Sequence, residues 1–152
     1  MVTIEVRDTV MADRPAWQRM WSANCKHFGA SIPEADDHEL WRRLMDPANP
    51  VGSLVASASD SEGLLVGFAH YVLHPHTFSR RMVCYLEDLW VEPAARGAGI
   101  GRRLIEALIA RGRDLGWQRL YWHTAADNAA ARALYDRIAR ATNHVRYDIT
   151  LR

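Results

Sequence analysis

The stretch Leu89-Trp-Val-Glu-Pro-Ala-Ala-Arg-Gly-Ala-Gly-Ile-Gly101 gathers the residue types that bind an anion. An extended run enters a turn in which Gly97, Gly99 and Gly101 alternate. The spacing of Leu104, Ile105, Leu108 and Ile109 then marks a helix. The first amides of a helix lack internal partners, and the helix dipole adds positive potential at the same place. Glycines there let a phosphate approach the backbone closely. Glycines at alternate positions weaken a helix start unless the backbone must stay bare. A Walker loop is excluded because Arg102-Arg103 follows Gly101, and the alternation does not fit G-x-G-x-x-G. A diphosphate is the expected ligand.

The elements that must position these residues follow from periodicity. Val2–Val6 alternates as a short strand. Asp13 and Pro15 start a helix carrying Trp17, Met20, Trp21 and Phe28, and a second helix runs from near Pro33 to before Pro47. Val51–Ser59 and Leu64–His74 read as a hairpin around Asp60-Ser-Glu-Gly63, and Met82–Val91 as a strand stopped by Pro93. After the loop come a helix ending near Gly116, a strand over Gln118–Thr124, a helix over Asn128–Ala141 and a closing strand over Val145–Leu151. Hairpin and crossover neighbours are mixed. The expected fold class is therefore α/β, one mixed sheet covered by helices, in a single domain spanning 1–152.

Composition narrows the function classes. With 152 residues, 49% hydrophobic and 24% charged, the chain is globular in character. A net charge of +1 argues against nucleic acid as the main partner. Of 19 basic residues only Lys26 is a lysine. The arginines are spread along the chain, which reads as coding bias. Cys25 and Cys84 form neither a disulfide framework nor a metal motif, no signal segment is visible and no apolar run is long enough for a membrane span. A cytoplasmic protein is expected.

Two separated signatures resemble a known family. Arg96-x-x-Gly99-x-Gly101 resembles the acyl-CoA pyrophosphate motif of the GNAT N-acetyltransferases. Tyr85-Leu-Glu-Asp-Leu-Trp-Val91 resembles that family's fourth strand, and Asn128-x-x-Ala131-x-x-Leu134-Tyr135 its second signature. Tyr85-Leu-Glu-Asp88 and Leu120-Tyr-Trp-His-Thr124 look most like the polyamine and histone-type branch. The resemblance implies acetyl-CoA as donor, lying between splayed fourth and fifth strands. Its pantetheine would pair with the backbone of Leu89, Trp90 and Val91. Its pyrophosphate would rest on Arg96, Gly97, Ala98, Gly99, Ile100 and Gly101, with Asn128 as a cofactor-binding or loop-fixing group. It further implies Glu87 as base through water and Tyr135 as the acid for the leaving thiolate. One departure is Ala139-Arg140, where the family usually has Gly-aromatic.

The expected acceptor is a primary amine of a small cationic molecule, polyamine-like or amino-acid-like. A protein tail, an aminoglycoside-like drug, or a non-catalytic CoA sensor are the alternatives. A homodimer is common for this fold. Asp88 faces away from Glu87 if the strand is regular, and a bulge would turn it back. His70, His74 and His76 lack the partners of a metal site, and none is expected. His123 is an alternative base. Glu34, Asp36, Asp37 and Glu39 suit the helix dipole or an acidic acceptor wall, and Trp17, Trp21 and Trp41 suit the core.

Overall fold

A computed structural model describes residues 1–152, which divide into two units, Met1–Trp122 and His123–Arg152. The first unit holds a five-stranded sheet in sequential order. The strands are β1 (Ile4–Asp8), β2 (Val51–Ala58), β3 (Leu65–His76), β4 (Ser79–Val91) and β5 (Arg119–Tyr121). Only β4 and β5 pair in parallel, with α3 (Ile100–Leu115) as the crossover. The sheet is mixed, as expected.

One face of the sheet is covered by α1 (Arg14–His27) and α2 (Glu34–Met45). Trp17, Trp21 and Trp41 lie in this core with Met20, Val55, Phe68 and Trp90. On the other face Ile100, Leu104, Ile105 and Leu108 of α3 are buried, and Gly67 leaves room for Ile100 and Leu104. A bidentate pair fixes the start of α1. Arg7 donates to both carboxylate oxygens of Asp13, at 2.7 and 2.9 Å, while Val10 N donates to the same group at 2.8 Å. The Arg7 hydrogen bond holds Asp13 below the usual carboxylate range.

Two strands are longer than the periodicity predicts. β3 and β4 continue to a tight turn between His76 and Ser79, because Pro75 sits at a register shift, where its missing N–H costs no ladder bond. A second shift in the same pair sets the geometry of the site. His70 opposes Asp88 and Tyr71 opposes Leu86, so Glu87 is an extra, bulged residue.

The second unit contains one regular element, α4 (Ala129–Ile138). The predicted closing strand Val145–Leu151 is absent. Val145, Tyr147, Ile149 and Leu151 alternate as a half-buried strand would, yet all four are strongly exposed. Alternation fits a segment to a sheet, but a strand forms only against another backbone, and the second unit has no other strand to pair with. The predicted fifth strand is likewise shortened to Arg119–Tyr121, so His123 lies beyond it. No helix is long and apolar enough to cross a membrane. Both cysteines are free and buried. Burial pushes the Cys84 thiol up to about 12, and burial with the charges of Asp37 and Asp88 raises that of Cys25.

Candidate active site

The glycine loop adopts the backbone that its residue types suggest. Gly97 and Gly99 have φ of +84° and +87°, a left-handed conformation that costs a residue with a Cβ about 1–2 kcal/mol. Gly99 is the N-cap of α3, and the first intrahelical bond runs from Arg103 N to Gly99 O at 3.0 Å. The amides ahead of Arg103 have no helical partner, and open space surrounds Gly97 and Gly99. The loop therefore fits a diphosphate. Arg96 pins it from the strand side, donating from Nε to Val91 O at 2.9 Å with its guanidinium 4.9 Å from the Trp90 ring. Arg102 and Arg103 are drawn to Glu106, at 2.8 and 3.2 Å. Ala98 and Ile100 complete the turn, and Ile100 is buried under the sheet.

The strand before the loop is paired on both sides over only part of its length. β5 pairs with β4 only from Val83 to Tyr85. On the opposite edge Gly67, Phe68 and Ala69 of β3 oppose Val91, Trp90 and Leu89. From Leu86 onward β4 therefore has a strand partner on one side only. A chain carrying amides could extend the sheet there as an added strand would.

The bulge decides which side chains face the acceptor side. Antiparallel partners share a face. Leu86 lies with Tyr71 and Leu89 with Ala69, and Leu89 approaches Gly101 at the start of α3. Regular alternation would put an odd number of residues between them, yet Glu87 and Asp88 both intervene. Both point to the α1 side. Glu87 is exposed, whereas Asp88 is partly covered and bonds to His70 Nδ1 at 3.0 Å. The structure thus turns Asp88 back toward Glu87, as a bulge was expected to do.

The other histidines stay apart. His74 bonds to Tyr121 Oη at 2.9 Å, and Phe78 N donates to His76 at 3.1 Å. No group of three or more metal-ligating side chains comes together. Of the acids in α2, Asp37 accepts from Trp21 Nε1 at 2.8 Å and Gln18 Nε2 at 3.1 Å. Glu39 is taken up by Arg42 and Arg43, whose hydrogen bonds push it down to about 2.

Asn128 and Tyr135 belong to the second unit. Asn128 is the N-cap of α4, accepting from Ala131 N at 3.3 Å and donating to Thr124 Oγ1 at 3.3 Å. Burial raises the phenol of Tyr135 above its ordinary value, so it stays protonated across the neutral range. Sequence reasoning missed His70 as a partner of Asp88 and Trp17 as a partner of His70.

A family model described as acetyltransferase (GNAT) family matches residues 17–139. The chain belongs to the GNAT acetyltransferase family. It is 32% identical over 135 residues to the D-amino-acid N-acetyltransferase HPA3 of Saccharomyces cerevisiae, covering 89% of this chain and 83% of that one. It is 33% identical over 129 residues to the mycothiol acetyltransferase of Pseudarthrobacter chlorophenolicus, covering 83% of this chain but 38% of that longer protein. The crystal structure of an aminoglycoside acetyltransferase from an uncultured soil metagenomic sample, in complex with sisomicin, has the same fold. That likeness has a TM-score of 0.80 and 20% identity over 98% of this chain and 97% of that one. As a GNAT enzyme the chain is an acyltransferase that takes its acetyl group from acetyl-CoA. The loop and the open half of β4 fit that donor.

Proposed function

We propose that this enzyme acetylates a primary amine of a small cationic acceptor, polyamine-like or amino-acid-like. The observation that carries the reading is the bulge, which sets two carboxylates, Glu87 and Asp88, on one face beside the open edge of β4. Such a face attracts positive charge. A zwitterionic amino acid would bring its own carboxylate to these two, so a polyamine or an amino acid masked at its carboxyl suits the face better. A polycationic aminoglycoside is the second reading, favoured by the same charge.

The chemistry assigns each residue a task. A primary amine has a pKa of about 10.4, so only about one molecule in a thousand is neutral at pH 7. Glu87 takes the ammonium proton through a water. The backbone of Leu89, Trp90 and Val91 aligns the pantetheine arm, and the amides from Arg96 to Gly101 hold the pyrophosphate, whose charge suits the end of α3. Acetyl-CoA supplies the thioester carbonyl that the neutral amine attacks. Tyr135 gives its phenolic proton to the departing sulfur, and Asn128 shapes the start of the helix that carries it. The reading includes a homodimer, supported by the exposed apolar residues 145, 147, 149 and 151, and a cytoplasmic site, supported by two free thiols.

A panel of polyamines, monoamines, masked and free amino acids and aminoglycosides, followed by mass spectrometry of the product, tests the acceptor. Turnover should favour acceptors with at least two positive charges. A preference for free D-amino acids or for uncharged amines would overturn the reading.

A further inference from the structure

The chain is rich in arginine, and several of its carboxylates are claimed by it. Asp8, Asp13, Glu39, Glu92, Glu106 and Asp148 each pair with a guanidinium. Asp88 does not. Its partner is His70, which is 1% exposed, at 3.0 Å from Nδ1 to Oδ2. His70 is held in turn by Trp17, whose indole N–H donates to Nε2 at 2.9 Å.

An indole nitrogen can only donate, so His70 Nε2 carries no proton. The ring is then neutral, with its proton on Nδ1 and directed at Asp88. Aromatic rings enclose it, Phe68 at 4.5 Å and Trp21 at 5.1 Å between centroids, so it has no other orientation that satisfies both nitrogens. Asp88 therefore receives a hydrogen bond without receiving a positive charge. It is fixed in place by a neutral donor and remains one-quarter exposed on the face it shares with Glu87.

We infer that Asp88 anchors a second, non-reacting ammonium of the acceptor, and that His70, locked by Trp17, is the residue that positions it. The inference rests on the proposed cationic acceptor and assigns it a specific anchor. It separates two jobs along the bulge: Glu87 receives a proton from the reacting amine, and Asp88 holds an amine that stays charged. A cationic partner at this position would cancel the charge that the acceptor needs.

The test compares 1,4-diaminobutane with 1-aminobutane as acceptors. The wild type should show a KM for the diamine at least tenfold below that for the monoamine. Asp88→Asn should bring that ratio close to one, mainly by raising the diamine KM, with a smaller change in kcat. His70→Leu should lower the ratio at least fivefold, and His70→Asn, which restores an N–H at the Nδ1 position, should recover most of it. In histidine-selective ¹⁵N spectra of the wild type, His70 should carry its proton on Nδ1. A ratio unchanged in Asp88→Asn, an asparagine no better than leucine at position 70, or a proton on Nε2 overturns the inference. Calorimetric titration of both amines into wild type and Asp88→Asn, with coenzyme A present, decides the matter without turnover. Should no amine be acetylated while the diamine still binds through Asp88, the proposed function fails and the anchor stands. If amines are acetylated but the diamine advantage is absent or ignores Asp88, the anchor fails alone.

Discussion

At the scale of single residues, the structure separates groups that act by charge from groups that act by shape. Gly99 acts by shape. Its φ of +87° strains any side chain although nothing lies within 4 Å of the added Cβ. Gly99→Ala should lose about 1 kcal/mol of stability and weaken acetyl-CoA binding, read by thermal unfolding and calorimetry. Tyr135 acts by its proton. Since burial raises its pKa above the ordinary phenol value, loss of that proton should not lower kcat on the alkaline side up to pH 9.5. Tyr135→Phe should lower kcat by about 10²-fold with little change in KM for the acceptor, as expected for loss of a general acid. The loop was legible because its residue types and spacing stand within one short segment. The Trp17–His70–Asp88 chain was not, because its members lie 53 and 18 residues apart in sequence. His70 looked like one of three histidines on a strand face. Its burial follows from the helix that covers that face, which no local pattern reports.

At the scale of elements, periodicity found the helices and most of the strands, since long amphipathic segments carry their own signal. It could not find the bulge. One extra residue in β4 leaves the apolar pattern plausible on either register, and only the pairing with β3 shows that Glu87 and Asp88 share a face. It also misjudged the last strand, because alternation describes a side-chain pattern and not a backbone partner. The entry to α1 hangs on the pair of Arg7 and Asp13. Asp13→Ala should cost about 1–3 kcal/mol by leaving Val10 N and a partly buried guanidinium without their acceptor. The pH sign follows from the direction of its shift. Asp13 has a lowered pKa in the folded state, so its contribution is present above the unfolded value of about 3.9 and is lost as pH falls through the lower folded value. Acid unfolding of the wild type should therefore steepen below about pH 4, and the variant should lack that increment.

At the scale of the whole molecule, the two units divide the candidate machinery. The first contains the donor loop, the open edge of β4 and the paired carboxylates, and the second contains Asn128 and Tyr135. Composition described a near-neutral chain, and the average hid a local division. Six carboxylates pair with arginine, while Asp88 is held by a neutral ring. The half of β4 that β5 does not pair with has a consequence for handling the protein. A stretch with no neighbouring strand on one side is a template for pairing with another molecule of the same chain, the route by which strand edges start aggregation. A donor lying along that edge would act as a chaperone for the strand as well as a reactant. Light scattering during slow heating should show a later onset with coenzyme A than without it. The delay should exceed that given by adenosine 3′,5′-bisphosphate, which carries the nucleotide but lacks the amide-bearing arm. The molecule would then be safest from its own kind while loaded for catalysis.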